Sequence, residues 1–144
     1  MAVVRRFEDL VAWQEARSLA KQIYQFTERS EVRRDFGFTD QIRRAALSIM
    51  NNIVEGFDSG SRLEFIKFLS YARRSASEVQ SCLYVALDRG HLGNEEFVAL
   101  LKKADYARNL VAAFIRYLRE KGRRDSGKPV AFKIRHNRGL AQSS

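Results

Sequence analysis

Apolar residues recur at helical spacing in four stretches of this chain, and polar residues fill most of the positions between them. The first stretch runs from Phe7 to Arg29 and the second from Thr39 to Glu55, while the third opens at Ser61 and the fourth at Asn94. Spacings of three and four predict four amphipathic α-helices. The apolar faces of the last three comprise Ile42, Ala45, Ala46, Ile49, Ile53; Phe65, Leu69, Ala72, Ala76, Val79, Leu83, Ala86; and Phe97, Leu100, Ala104, Ala107, Val111, Phe114, Leu118.

Residues that favour helix ends stand between these stretches. Ser61 followed by Glu64 forms a capping box at a helix start, and Gly90 suits a helix C-terminal cap. Gly122 is the predicted end of the fourth helix. Because four long helices with short connections pack side by side, the pattern predicts an all-α, up-down four-helix bundle.

The second predicted helix is apolar over too broad an arc for one seam. Its core face is centred on Ile42, Ile49 and Ile53, but Leu47, Met50 and Val54 lie about 80–140° away at about 100° per residue. Such a helix is either central in its own bundle or buried against another subunit. We favour the second alternative, so Leu47, Met50 and Val54 are the predicted oligomer interface of a homo-oligomer.

Positive charge changes this picture from a plain bundle to a candidate binding protein. The chain has 26 Lys+Arg against 17 Asp+Glu and a formal net charge of +9. We divide the chain into a four-helix bundle at residues 1–121 and a basic C-terminal arm at residues 122–144. The arm contains six cationic residues and one acidic residue. Either this charge is a solvated surface or it serves a polyanionic partner.

Arginine favours the nucleic-acid interpretation, because its guanidinium binds phosphate through two donors and stacks on bases. Several arginines occur as doublets, and the arm adds further cations to them. The predicted nucleic-acid-binding residues are Arg43, Arg44, Arg73, Arg74, Arg123, Arg124, Lys128, Lys133, Arg135 and Arg138. Within the arm, Val130, Phe132 and Ile134 alternate with polar positions, which suits an added strand, a contact with a neighbouring subunit, or a segment ordered by nucleic acid.

The sequence lacks the residues that other classes of function require. One cysteine excludes a disulfide framework or a cysteine-based zinc cluster, and two histidines, His91 and His136, supply no metal-binding pair. No phosphate loop, dinucleotide motif or nucleophile elbow occurs. We therefore expect no enzyme activity, no cofactor and no metal. The chain has neither an apolar run of membrane-spanning length nor the order of a signal peptide, so we expect a cytoplasmic protein with no membrane partner.

Polar residues on the second and third helices suggest a structural polar network between them. The predicted members are Gln41, Ser48, Asn52, Glu55, Ser75 and Glu78. A network that fixes helix register is the preferred interpretation, and a catalytic carboxylate pair is the alternative. Arg108 lies within the apolar stripe of the fourth helix, so its guanidinium meets a carboxylate at a subunit boundary, lines a central channel, or extends outward to solvent.

The second helix carries the run QIRRAALSIMNNIVEG from Gln41 to Gly56. This run resembles the bacterial four-helix-bundle family linked to 23S rRNA intervening sequences. Phe7–Gln14 and Arg74–Glu78 also resemble that family, and the resemblance extends from Phe7 to Glu120 without including the basic arm. The same fold is shared by the accessory variability determinant of diversity-generating retroelements. That likeness implies a basic homopentamer that binds a reverse transcriptase and nucleic acid.

Together these observations predict a non-enzymatic, homo-oligomeric nucleic-acid-binding protein whose partner is RNA or an RNA–DNA intermediate. The resemblance implies a narrower role as an accessory subunit of a retroelement reverse transcriptase, with five subunits. The alternative is a protein-interaction scaffold whose basic surface binds an acidic protein without nucleic acid.

Overall fold

The structure, a computed structural model, describes residues 3–125 and 134–135 of the chain, with only the backbone described at Val3, Ile134 and Arg135. The fold is all-α, as predicted. The elements are strand β1 (Val3–Val4), a short 3-10 helix (Phe7–Asp9), α1 (Val11–Thr27), α2 (Ser30–Arg33), α3 (Phe36–Asp58), α4 (Arg62–Asp88), α5 (Asn94–Arg124) and strand β2 (Ile134–Arg135).

The four long helices form a helical bundle around one apolar core. Helix α1 packs against α3 and α5, and α4 packs against the same two helices. Each helix buries the face that its apolar spacing predicts, because only that face can leave water without also burying charged groups. The largest fully buried side chains include Leu19, Ile23, Ile42, Ile49, Ile53, Phe65, Leu69, Leu83, Leu110 and Leu118.

The predicted ends of α4 are confirmed by local hydrogen bonds and backbone geometry. The backbone N–H of Glu64 donates to Ser61 Oγ at 3.3 Å, which satisfies one of the unpaired donors at the start of α4. Beyond its end, Gly90 has φ of 74°, a conformation that a residue without a side chain adopts easily.

Several predicted boundaries differ from the structure, and α3 spans Phe36–Asp58 rather than Thr39 to Glu55. The first helix begins at Val11 rather than Phe7, because Leu10 is extended and separates it from the 3-10 turn. The connection after α1 contains α2, whose Val32 is fully buried. Gly122 does not end the fourth helix, since α5 continues to Arg124 and the side chain of Arg62 lies over this glycine.

At Gly56 the backbone of α3 lies against side chains from the start of α4. A Cβ atom at this position would lie 2.7 Å from Cδ1 of Phe65 and 3.1 Å from Cβ of Phe68. Phe65 is fully buried, so its ring cannot make room by turning out into solvent. Only glycine therefore allows the C-terminal half of α3 to lie against the start of α4 at this distance.

The first and last described segments meet in a short antiparallel ladder. Val3 pairs with Arg135 and Val4 pairs with Ile134, so part of the arm adds as a strand to its own chain. Val4 is buried against the core, and Phe7 makes an edge contact with the Trp13 ring at 5.1 Å. Residues 126–133, including Val130 and Phe132, lie outside the described residues.

Gly56→Ala should lower the free energy of unfolding by about 1–3 kcal/mol, because the added methyl group overpacks the α3–α4 contact. Urea unfolding followed by circular dichroism measures this change.

Gly37→Ala is the matched control, since Gly37 is exposed near the start of the same helix and a Cβ there would meet nothing within 4 Å. Alanine should leave stability unchanged or raise it by up to about 1 kcal/mol. Equal urea midpoints for Gly56→Ala and the native chain would show that α3 and α4 are not in close contact here.

Candidate nucleic-acid interface

Helical geometry separates the two members of each arginine doublet by about 100°, so they meet different surroundings. Arg43 donates from Nε to Thr27 Oγ1 at 2.8 Å, and its guanidinium lies 4.5 Å from the centroid of the Tyr24 ring. Arg44 is exposed and forms an ion pair with Asp40 at 2.9 Å. Both of these predicted nucleic-acid-binding residues are therefore already occupied by partners in their own chain.

Two other doublets, Arg73-Arg74 and Arg123-Arg124, are more available. Arg73 is exposed and makes no hydrogen bond or ion pair with any described residue, and Arg74 lies 5.8 Å from the Tyr71 ring. Arg123 and Arg124 are exposed in the last turn of α5, where cations are favourable beside the helix C-terminus. These residues offer free guanidinium groups to a polyanion.

Four of the predicted nucleic-acid-binding residues belong to the arm. Lys128, Lys133 and Arg138 lie outside the described residues. Arg135 lies on strand β2, with only its backbone described. The predicted division between bundle and arm at residues 121 and 122 stays a prediction, although α5 runs through it.

Arg62 and Arg108 lie between α4 and α5 and were not among the predicted nucleic-acid-binding residues. Arg108 is half-buried and donates from Nε to Ser77 Oγ at 2.9 Å, which places its guanidinium at the surface of the bundle rather than inside it. Arg62 lies against Gly122, and its Nη1 atom is buried without a hydrogen-bond partner. Leaving such a donor unpaired costs about 1–3 kcal/mol.

The predicted polar network is divided into two parts. Ser75 donates to Ser48 Oγ at 2.8 Å, and Asn52 donates to the same oxygen at 3.0 Å and to the Ser48 carbonyl at 2.8 Å. Gln41 donates to Glu78 one helix turn or more away from this cluster. The Ser48–Ser75 and Gln41–Glu78 bonds join α3 to α4 at two levels, whereas the bonds of Asn52 stay within α3.

Glu55, the sixth predicted member, does not join either part. Its side chain is exposed and contacts no polar partner among the described residues. Glu78 is exposed as well, so neither carboxylate is buried between the helices. Both carboxylates reach water, which removes the need for compensating donors.

The predicted oligomer interface is partly covered within the chain. Met50 and Val54 are half-buried, and Met50 packs against the core, because α3 has α1 on one side and α4 on the other. Leu47 remains 38% exposed. Part of the broad apolar arc of α3, at Met50, therefore packs within the bundle, and Leu47 leaves an exposed part of that arc.

Asp35 joins the α2–α3 connection to the turn between α4 and α5. Its Oδ2 lies 3.0 Å from His91 Nε2 and 2.6 Å from Arg89 Nε. The hydrogen bond with His91, followed by the charge of Arg89, lowers the pKa of Asp35 below its ordinary value. His91 thus has a partner in the fold, and no group of three or more His, Cys, Asp or Glu within residues 3–125 is arranged to hold a metal ion.

Cys82 is half-buried beside this cluster. Burial, followed by the charge of Glu78, raises the pKa of its thiol, which keeps it in the less reactive protonated form.

None of the described helices combines the length and apolar character needed to cross a membrane.

Comparison with known proteins agrees with the helical fold. Residues 8–113 match the model of the 23S rRNA-intervening sequence protein family, so the chain belongs to this family and the resemblance carried by the second helix is confirmed. No curated protein matches the sequence.

A solved structure with the same fold is a protein of unknown function from the S23 ribosomal protein family of Bacteroides thetaiotaomicron. It aligns with a TM-score of 0.67 and 24% identity, over 73% of this chain and 98% of that one. At this identity the likeness shows the shared fold.

Asp35→Asn should lower the melting temperature at neutral pH. Because the folded pKa of Asp35 is depressed, its carboxylate adds stability above its ordinary pKa of 3.8 and loses that contribution as the pH falls through the folded value. The difference in melting temperature between the native chain and the variant should therefore close under strongly acidic conditions.

Asp40→Asn is the control, since its carboxylate contacts only the exposed Arg44 and a surface pair of this kind contributes little. Differential scanning fluorimetry across a pH series measures all three proteins. A difference for Asp35→Asn that stays constant with pH would contradict the role given to its charge.

Proposed function

We propose that this protein is a non-enzymatic, homo-oligomeric nucleic-acid-binding protein whose ligand is RNA or an RNA–DNA intermediate. The observation that carries the proposal is the set of exposed arginines without ion partners in the described chain, represented by Arg73, Arg123 and Arg124. A guanidinium left free of carboxylates keeps its full charge and its paired donors for phosphate.

The direction of the chain supports a contribution from the arm. Helix α5 ends with Arg123 and Arg124, and residues 126–144 then add Lys128, Lys133, Arg135 and Arg138 without any acid. Contacts from such cations to phosphate position a protein on nucleic acid and carry no sequence information. We therefore propose binding that depends on charge and shape more than on base sequence.

We further propose an up-down four-helix topology and assembly into a homo-oligomer, with five subunits as the number implied by the family resemblance. Contacts between α3 and α4 support the topology, because Gln41 meets Glu78 while Ser48 meets Ser75, so positions rise along one helix as they fall along the other. The exposed part of Leu47, continuous with Met50 and Val54, supports the interface.

A narrower proposal follows from the resemblance to the accessory variability determinant: the protein assists a reverse transcriptase within a retroelement. The discriminating observation is the gene neighbourhood. A reverse transcriptase gene beside this one supports the accessory role, and a location inside an rRNA gene supports a separate one.

The purified chain should bind a fluorescein-labelled RNA hairpin with an affinity that falls steeply as salt increases. Contact with about six phosphates would lower the affinity about a thousandfold between about 50 and 200 mM salt. Fluorescence anisotropy titrations at several salt concentrations measure the slope. An affinity that is independent of salt would contradict the phosphate contacts.

Removal of residues 126–144 is the informative truncation, because it takes away four cations and leaves α5 whole. Weaker binding with unchanged oligomeric mass supports an arm that binds nucleic acid. Nuclease treatment before affinity capture tests the scaffold alternative: partners that survive digestion would indicate an acidic protein as the ligand.

Leu47→Glu should reduce the oligomeric mass, since it places a charge on the exposed part of the α3 stripe. Leu63→Glu is the matched control, because Leu63 is 77% exposed on α4 and outside that stripe. Sedimentation velocity measures both variants and the native chain. A monomeric native chain would rule out the homo-oligomer, and equal masses for all three proteins would exclude the Leu47 face as the interface.

A further inference from the structure

Exposed apolar side chains are concentrated at the end of the bundle where α3 begins and α4 ends. The described part of the chain exposes seven large apolar side chains, and four of them, Phe36, Tyr84, Val85 and Val98, lie at this end. The Tyr84 ring meets the buried Phe97 ring edge-on at 4.9 Å, so the core holds it in place while 53% of the residue stays exposed. Apolar side chains that are held in place and exposed together mark an interaction surface.

Tyr84 and Val85 form a ridge on α4 with an open recess on either side. Toward α3, a recess of about 420 Å³ lies between Val85 and Gly37. Toward α5, a recess of about 320 Å³ lies between Tyr84 and Leu101. We call the surface formed by Tyr84, Val85 and these two recesses the α4 ridge.

The shape of the α4 ridge suits a second helix better than a small molecule. Both recesses are open to solvent, and their volumes are near the lower limit of small-molecule pockets, which is about 300 Å³. A helix laid beside α4 places its own side chains in the recesses, because helices pack ridges into grooves. From Gln80 to Arg89, α4 rises about 14 Å, which is the length of about 2.5 helical turns.

This end of the bundle is acidic, although the protein as a whole is basic. Residues 28–40 and 88–96 contain seven acidic and four basic residues, a formal net charge of −3 in a chain of +9. Two of these cations, Arg29 and Arg89, are ion-paired within the chain. The other two are the doublet Arg33-Arg34, and neither of them lines a recess. A phosphate backbone or an acidic protein is therefore a poor partner for the α4 ridge.

Carboxylates beside the α4 ridge are available to an incoming cation. Asp88 follows the ridge by one turn of α4, Asp105 lines its α5 recess, and Glu95 lines an adjoining recess beside Val98. These three carboxylates form no ion pair with a described residue. Lys102 is the one cation without such a pair among the described residues that line the recesses. The charge around the α4 ridge thus complements a partner that carries Lys or Arg beside its apolar side chains.

We infer that the α4 ridge binds a cationic amphipathic helix of a partner protein. Apolar side chains of that helix cover Tyr84 and Val85 and enter the recesses, while its cations pair with Asp88, Glu95 and Asp105. The site is separate from the proposed nucleic-acid contacts in the last turn of α5, which begin about 40 Å further along that helix. The protein can therefore hold a protein partner at one end of the bundle and nucleic acid at the other.

The test uses a model peptide with the chemistry of the expected partner. The probe is a fluorescein-labelled peptide of about 18 residues, in which leucine and lysine have the spacing of an amphipathic helix. One comparison peptide has the same composition in an order without an apolar face, and the other has glutamate in place of lysine. Fluorescence anisotropy with the full-length chain should show binding at least about tenfold tighter for the probe than for either comparison peptide.

Two matched double variants locate the site. Tyr84→Ser with Val85→Ser removes the α4 ridge, and Tyr71→Ser with Leu63→Ser removes an exposed tyrosine and an exposed aliphatic side chain from the other half of the same helix. The ridge variant should lose at least about tenfold in affinity for the probe, and the control should retain the native affinity. Circular dichroism checks that both variants keep the native fold.

A third variant tests the charges without changing the apolar surface. Asp88→Asn with Glu95→Gln alters two exposed side chains and should weaken binding of the probe and reduce its dependence on salt. This variant decides the matter if the ridge variant does not fold. Native affinity and native salt dependence in it would overturn the role given to the carboxylates.

Equal affinity of the ridge variant and the native chain, or equal binding of all three peptides, would overturn the site. A reduced oligomeric mass of the ridge variant in sedimentation velocity, without binding of the probe to the native chain, would assign this end to a contact between copies of the chain and would also overturn it. Binding of the labelled RNA hairpin should be the same in the ridge variant and the native chain. Failure of the native chain to bind that hairpin would refute the proposed function and leave the α4 ridge standing.

Discussion

The close contact at Gly56 is the constraint on which the α3–α4 half of the bundle depends. With no side chain at this position, the rings of Phe65 and the stem of Phe68 lie directly against the α3 backbone. The bonds from Gln41 to Glu78 and from Ser75 to Ser48 show the register of the same two helices further along their length. At that register the Ser75 hydroxyl donates to Ser48 Oγ. The bond gives these two polar groups between the helices a hydrogen-bond partner.

Gly122, on α5, also lies against a side chain of α4, but that side chain is charged. Arg62 lies over Gly122 and leaves one guanidinium nitrogen buried without a partner. The α4–α5 register that includes this contact also places Arg108 beside Ser77. The same packing that closes the core therefore determines which arginines share a surface, although none of those arginines contributes to the core itself.

The all-α fold, the buried faces and the ends of α4 could be predicted from sequence, because apolar spacing and capping residues act locally. The cluster of Ser48, Asn52 and Ser75 could also be predicted, since its residues occupy adjoining polar stripes. What could not be predicted depends on the distance and register between helices. Adjacent arginines look equivalent in sequence, yet Arg43 stacks on Tyr24 while its neighbour faces solvent. Likewise, a glycine at position 122 suggests a helix end, but α5 continues past it. Arg62 is far from Gly122 in the sequence, so the sequence does not show that the Arg62 side chain covers this glycine.

The contact between Phe7 and Trp13 has a practical consequence for observing the molecule. Trp13 is the only tryptophan in the chain, and it contacts the ring of Phe7 and the guanidinium of Arg17, which is 5.7 Å from its centroid. Indole emission therefore has a single source, at the junction where the N-terminal segment enters α1. The native protein carries its own optical reporter for that junction, and rearrangements there are visible without any attached dye.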